Sequence, residues 1–284
     1  MFRLLESLPT AQEQALNALR SRLASYPAVV VAYSGGVDSA LVAAVAAEQL
    51  GERALAVTGV SPALAPHLRE EARQQARWMG IQQREISTTE LSDPAYSSNP
   101  AERCYACKRE LHGQLAALLE QLPHTAAQVL DGVNQDDLAD HRPGIRAARE
   151  RGVSSPLAEL GIDKQAVRQI SRALGFPWWD KPAQPCLASR FPYGEPISAA
   201  RLERVAAAEN WLRQRGFSEL RVRSHGEAAR IELPGDQLTN LLSDLQNSAL
   251  RGELVEAFQE LGFSAVSLDL EGLVSGKLNR DLQR

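Results

Sequence analysis

The chain has 284 residues, 31 Lys and Arg against 35 Asp and Glu, a net charge of −4 and an isoelectric point near 5.8. With 44% hydrophobic and 23% charged residues it falls outside the disordered and fibrous classes, and the acidic balance argues against an extended basic surface for nucleic acid. No apolar run approaches the roughly 18 residues of a membrane span, and Met1 to Pro9 lacks the basic start and apolar stretch of a secretion signal, so a cytoplasmic location and a small-molecule partner are expected.

Residues 10–25 space Leu16, Leu19 and Leu23 on one helical face, with Thr10 as the expected cap. Ala28 to Tyr33 is a continuous apolar run suited to a buried strand, and beyond Gly35 and Gly36 a helical stretch runs to Gly51. The alternation continues with a strand at Ala54–Val60, a helix at Leu64–Met79 closed by Gly80, and a strand at Gln82–Ile86. A helix over Lys108–Gln121, a strand over Ala127–Leu130 and a helix over Lys164–Leu174 capped by Asp163 follow. This order predicts an α/β fold, a parallel sheet with helices on both faces.

Residues 177–197 hold five prolines, which exclude regular structure from most of that stretch. Beyond it a helix (Ala199–Arg215), strands at Leu220–Ser224 and Ala229–Leu233, a helical region (Gln237–Leu261) and a strand (Ala265–Leu268) predict a small C-terminal α+β domain. The expected division is therefore residues 1–177, a cysteine-bearing loop at 178–197, and a domain at 198–284 for substrate binding or oligomerisation.

Ser34-Gly35-Gly36-Val37-Asp38-Ser39 stands where a buried strand gives way to a helix, so its backbone N–H groups converge on an anion at the helix start. Asp38 beside phosphate is suited to holding Mg²⁺. The Walker A spacing and its Gly-Lys-Ser/Thr ending are both absent. A plain glycine turn with Ser39 or Asp38 as helix cap is the competing structural account.

The three cysteines are too few for a disulfide scaffold and read as thiols available to metal or chemistry. Cys104 and Cys107 form a C-x-x-C at an expected helix start, with positive neighbours that favour thiolate. Such a pair fits a zinc half-site, a redox couple or part of an iron-sulfur cluster. Cys186 lies in the proline-rich loop, where simple burial is not expected. A 4Fe-4S cluster on all three would leave one iron open; zinc completed by His112 is the alternative.

The segments SGGVDS (34–39), VSPAL (60–64), NPAERCYACKREL (99–111), DGVNQDDLADHRPG (131–144), SPLAELG (155–161), WDKPAQPCLASRFPYG (179–194), RVRSHGEAARIEL (221–233) and LDLEG (268–272) occur together and in order. On these blocks the chain resembles the LarE family, PP-loop ATP-dependent sulfur transferases of nickel-pincer nucleotide biosynthesis, over nearly its whole length. The resemblance implies a PP-loop fold of the adenine nucleotide alpha hydrolase type and adenylation of a carboxylate of a pyridinium dicarboxylate mononucleotide. Sulfur then replaces the activated oxygen. Some family members sacrifice a cysteine sulfur at the position of Cys186. Others carry the C-x-x-C as well and are thought to use a cluster, the route its presence here favours.

The resemblance further implies that Ser34, Gly35, Gly36, Asp38 and Ser39 hold the ATP phosphates and Mg²⁺, with Asp131, Asn134, Asp136 and Asp137 near nucleotide or metal. Arg221 and Arg223 alternate on one strand and share a face, suited to a substrate phosphate. Arg190 and Lys181 flank Cys186 and would lower its pKa or bind acidic substrate; Glu209 and Glu232 match family positions near the substrate phosphate site. Trp178 and Trp179 read as loop anchors. His141 stands where the family has Tyr and is given no catalytic role. A homo-oligomer is expected; the sulfur donor is not read from sequence. A tRNA thiolation enzyme of the same superfamily, or a zinc- or nucleotide-binding sensor without turnover, are the other readings.

Overall fold

The computed structural model describes residues 3–121, 126–139, 142–246, 248–274 and 276–282. In chain order the elements are α1 (Thr10–Ala24), β1 (Val29–Ala32), α2 (Val37–Leu50), β2 (Ala54–Val60), α3 (Pro66–Met79), β3 (Gln82–Ser87), α4 (Pro94–Ser97), α5 (Arg103–Leu119) and β4 (Gln128–Leu130). They continue with α6 (Pro143–Glu150), α7 (Pro156–Glu159), α8 (Lys164–Ala173), α9 (Ala199–Arg213), β5 (Arg221–His225), β6 (Ala228–Glu232), α10 (Gly235–Asp244), α11 (Ser248–Glu260) and β7 (Ala265–Leu268).

The chain divides into two compact units. The first holds the chain up to Ser61, Pro66–Glu90 and Cys104–Gln184; the second holds Pro62–Ala65, Leu91–Arg103 and the chain from Pro185. Two short segments from the N-terminal half thus belong to the second unit.

In the first unit the strands form a parallel sheet in the order β3-β2-β1-β4. All four residues of β1 are buried, because the sheet is covered on both faces and both sets of alternating side chains must be apolar. Val29, Val31, Ala54 and Ala56 pack into a core with α1, α2, α3 and α8, whereas Val30, Ala32, Val57 and Val129 join Leu115 and Leu118 of α5 and Ala148 of α6. Helix α2 is apolar nearly all round, as its burial from Val37 to Leu50 requires.

Two helix starts illustrate local sequence control. Asp163 caps α8, its carboxylate accepting from Ala166 N at 2.7 Å. Thr10, by contrast, does not cap α1. Pro9 occupies the N-cap position, so Thr10 is one residue inside the helix, beyond the place from which a hydroxyl serves the first-turn N–H groups.

In the second unit β5 and β6 pair antiparallel and β7 joins β6 in parallel. Helix α9 packs on β5 and α11 on β7, around Val222, Ile231, Leu212 and Phe258. No helix among the described residues is long and apolar enough to cross a membrane.

Leu115 is fully buried where α5 meets the sheet, the smaller of the two core layers. Leu115→Ala is expected to cost about 2–5 kcal/mol, read as a fall in the urea midpoint with an unchanged slope.

Candidate active site

The strand order reverses at β1: the chain moves outward through β2 and β3 and then returns to place β4 on β1's other side. A crevice outside the carboxyl ends of β1 and β4 follows, the usual ligand position in open α/β sheets. Ser34–Ser39 leaves β1 there, and Asp131–Asp137 leaves β4 there.

Gly36 caps α2 without a side chain, so the N–H groups of its first turn stay open to an anion. Gly35 has φ +74, and a Cβ there would stand 3.1 Å from the Ala72 methyl on α3, so glycine is needed for both conformation and space. The Ser34 and Ser39 hydroxyls lie 3.1 Å apart and brace the loop. From α3, the buried Gln75 carbonyl accepts from the Tyr33 hydroxyl at 2.8 Å.

Asn134 pins the second loop to the first. Its Nδ2 donates to Asp38 Oδ1 at 3.1 Å, its Oδ1 accepts from the N–H groups of Asp136 and Asp137, and its own N–H donates to Asp137 Oδ2. The other Asp38 oxygen accepts from Lys164 Nζ at 2.5 Å. Lys164 N donates to Asp136 Oδ2, bringing the start of α8 to the same place. Burial pushes the Asp131 carboxyl above the usual range, against the pull of Ser155, Val133 N–H and Lys108. Burial likewise raises Asp137, opposed by Asn134 N–H and Arg142 and reinforced by Asp38.

Two participants escaped the sequence reading. Lys164 occupies the first position of α8, where a cation opposes the helix dipole; that misfit was the available signal. Gly132 lies so close to α2 that a Cβ would stand 2.5 Å from Ser39 N and 2.8 Å from Ser39 Cα. Lys181 forms an ion pair with Glu71 of α3. Trp178 packs its ring against Trp78 and Phe176, and the Arg172 guanidinium lies over Trp179, consistent with anchoring.

Cys104 and Cys107 sit one turn apart in the first turns of α5, where the helix start favours thiolate; Cys104 is exposed and Cys107 half-buried. His112, on the same helix, is buried, with Nδ1 lacking a hydrogen-bond partner. Burial first, then the charges of Lys108 and Arg151, push its pKa down to about 3. Among the described residues, no three His, Cys, Asp or Glu side chains form a metal-ligand group. His141 lies outside the described residues.

In the second unit Cys186 is exposed at the start of a short turn, Leu187–Arg190. Arg190 secures that turn from beneath: Nη1 donates to Pro185 O, Cys186 O and Ser189 Oγ, while Nε and Nη2 grip Glu209 at 2.7 and 3.1 Å. Arg223 donates from Nη1 to Ser189 O at 2.6 Å and from Nε to Glu232 at 3.0 Å. Arg190, Arg223, Glu209 and Glu232 are all buried, so these pairs fasten the Cys186 segment to β5, β6 and α9.

Arg221 differs from the other two arginines. Among the described residues its side chain makes no hydrogen bond or ion pair, and burial, with Arg190 and Arg223 nearby, lowers its pKa. Glu209 and Glu232 are taken up by Arg190 and Arg223 and lie within 4 Å of Arg213, Arg230 and Lys277 as well, which leaves the half-buried Arg221 without a carboxylate of its own. The arrangement suits an anion.

The family model described as asparagine synthase matches residues 11–96. The chain is 35% identical over 257 residues to the pyridinium-3,5-bisthiocarboxylic acid mononucleotide synthase of Lactiplantibacillus plantarum, covering 90% of each chain. It is 53% identical to an uncharacterized protein of Synechocystis, covering 96% of this chain and 99% of the relative. With an uncharacterized protein of Methanocaldococcus jannaschii it shares 28% identity over 86% of this chain and 89% of that one.

Gly132→Ala must displace backbone, and is expected to weaken ATP–Mg²⁺ binding by about tenfold or more with a stability loss of about 1–3 kcal/mol, measured by titration calorimetry and urea denaturation. His112 gives a second expectation. Because its folded pKa lies below the unfolded value near 6.5, the unfolded chain binds the extra proton and stability is lost as pH falls from 6.5 toward 3. The loss should approach about 1.4 kcal/mol per pH unit below pH 6. His112→Gln should flatten that part of the stability profile between pH 7 and 5.

Proposed function

Given that the chain belongs to the LarE family of ATP-dependent sulfur transferases, we propose that it adenylates a carboxylate of pyridinium-3,5-biscarboxylic acid mononucleotide and converts it to a thiocarboxylate, a step of nickel-pincer nucleotide synthesis. The observation that carries this reading is the open start of α2 at the strand-order reversal, with Asp38 held between Asn134 and Lys164.

In this reading Ser34, Gly35, Gly36 and Ser39 cradle the ATP phosphates with backbone N–H and hydroxyl groups. Asp38, aided by Asp131, Asn134 and Asp137, would hold Mg²⁺, which neutralises phosphate charge when bound. Lys164 would then exchange its carboxylate partner for phosphate. A substrate carboxylate oxygen attacks the α-phosphorus, the bond to the bridging oxygen of the β-phosphate breaks, and pyrophosphate leaves. The acyl adenylate carries AMP as its leaving group. A sulfur nucleophile adds at the carbonyl carbon and AMP departs, leaving the thiocarboxylate.

Residues 198–284 serve substrate binding and self-association in this scheme, with residues 1–177 binding ATP and 178–197 carrying Cys186. Arg221 takes the substrate phosphate, while Arg190 and Arg223, neutralised by Glu209 and Glu232, hold the surrounding backbone in place.

For sulfur delivery we favour a 4Fe-4S cluster held by Cys104, Cys107 and Cys186. Three thiolates match a cluster with one open iron, which supplies a place for an added sulfide, whereas closed zinc needs a fourth donor. His112 is a poor fourth donor, since five residues beyond Cys107 it points to a different side of α5 and is buried. The alternative is sacrifice of Cys186: its thiolate attacks the acyl adenylate, AMP leaves, and loss of the α-proton with cleavage of the Cβ–S bond gives thiocarboxylate and dehydroalanine.

Asp38→Asn is expected to lower substrate-dependent pyrophosphate release by about 100-fold. Cys186→Ala should still release pyrophosphate but form no thiocarboxylate. Anaerobic preparations should carry about four irons per chain, and Cys104→Ala should lose both iron and sulfur transfer. One turnover surviving in Cys104→Ala, with Cys186 lighter by the mass of H₂S, would replace the cluster route with the sacrificial one. Substrate-independent pyrophosphate release in every variant would defeat the adenylation reading itself.

A further inference from the structure

A cavity of about 440 Å³ lies in the first unit, lined by residues of α8 together with Asp136 and Trp179. Its volume is in the range of small-ligand sites. Lys164, Arg168 and Arg172 line it at every fourth position of α8, so three cations stand in a row on one helix face. Like charges at that spacing repel and weaken the helix unless something offsets them.

Two of the three are offset. Lys164 pairs with Asp38 at the phosphate loop, and Arg172 pairs with Glu6 at 2.6 Å. The side chain of Arg168, between them, makes neither a hydrogen bond nor an ion pair among the described residues, and its Nε is buried without an acceptor. The neighbouring Gln169 Oε1 is buried without a donor. Leaving such groups unmet is costly, so the middle of the cavity favours a ligand that both accepts and donates. A hydrogen diphosphate, with charged oxygens and a P–OH, does both.

The ring of Trp179 does not offer an open platform for a base, because the Arg172 guanidinium lies over it at 5.4 Å from the ring centre. The one carboxylate of the lining, Asp136, already accepts from Lys164 N at 3.0 Å. A compact oxyanion therefore suits the cavity better than a nucleoside.

We propose that this cavity is a release site for inorganic pyrophosphate, which passes from the phosphate loop to Arg168 by way of Lys164. Lys164 belongs to both places: its ammonium group meets Asp38, and its side chain lines the cavity. The inference rests on the reading of Ser34–Ser39 as the ATP phosphate loop. No further bond changes are involved, since pyrophosphate leaves with the electron pair of the broken P–O bond and is only relocated.

The test is calorimetric binding of magnesium pyrophosphate and of AMP to the full chain, with pyrophosphate also measured as a product inhibitor. Arg168→Gln should weaken pyrophosphate at least about tenfold while AMP stays within about twofold, and Arg168→Lys should recover part of the loss. Gln169→Leu should weaken pyrophosphate severalfold and carries the test if Arg168→Gln fails to fold by circular dichroism. Unchanged pyrophosphate binding in these variants overturns the proposal. An equal loss of AMP affinity also overturns it, assigning the cavity to the nucleotide. Asp38→Asn separates the two readings: unaltered ATP binding there defeats the phosphate-loop assignment, whereas Arg168-dependent pyrophosphate binding would then stand as an anion site of its own.

Discussion

The approach of Gly132 to the first turn of α2 is the constraint on which the candidate nucleotide site depends. A backbone contact this close leaves no place for a side chain, and it sets two loops from different strands edge to edge. Asn134 completes the join: its Nδ2 donates across to Asp38, while its Oδ1 and N–H brace its own loop at Asp136 and Asp137. The cation of Lys164 is then brought to Asp38 from a third segment, by a helix whose own start is fixed by Asp163. A site assembled from three helix and strand ends is rigid because each end is separately capped or packed.

The second unit solves a different electrostatic problem. Burying Arg190 and Arg223 would be prohibitive without partners; Glu209 grips Arg190 at two points, and Glu232 accepts from Arg223 Nε. Such pairs contribute little net stability, yet removing one partner strands the other, so the cage is strict about the position of the backbone it holds. That backbone is the Cys186 turn. The result is an exposed thiol on a segment fastened from below, which combines access with a defined position.

Much of this was legible because it is local. Strands β1 and β2 announced themselves as apolar runs, Asp163 as a cap three residues before its donor, and the phosphate loop as glycines between a strand and a helix. The short helices α6 and α7 were missed, being too brief for a periodic pattern to register. Lys164 and Asp38 are 126 residues apart, and no spacing rule joins them. The same applies to Arg190: its charge was visible, but its full engagement by Glu209 and three backbone or hydroxyl oxygens became apparent only in three dimensions.

Charge compensation gives a way to separate groups that hold the fold from groups that await a ligand. Arg190, Arg223 and Lys164 each meet a carboxylate, and Arg172 meets Glu6. Arg221 and Arg168 do not, although both lie partly buried, where an unmet guanidinium is least favourable. A surface arginine without a partner says little, since water serves it well. A half-buried one among other cations accepts a standing penalty that an incoming anion would relieve, as Arg168 does in the first unit and Arg221 in the second, whereas the buried Arg103 lies over the Tyr193 ring instead. The proposed chemistry supplies two such anions, the phosphate of a mononucleotide substrate for Arg221 and the pyrophosphate split from ATP for Arg168.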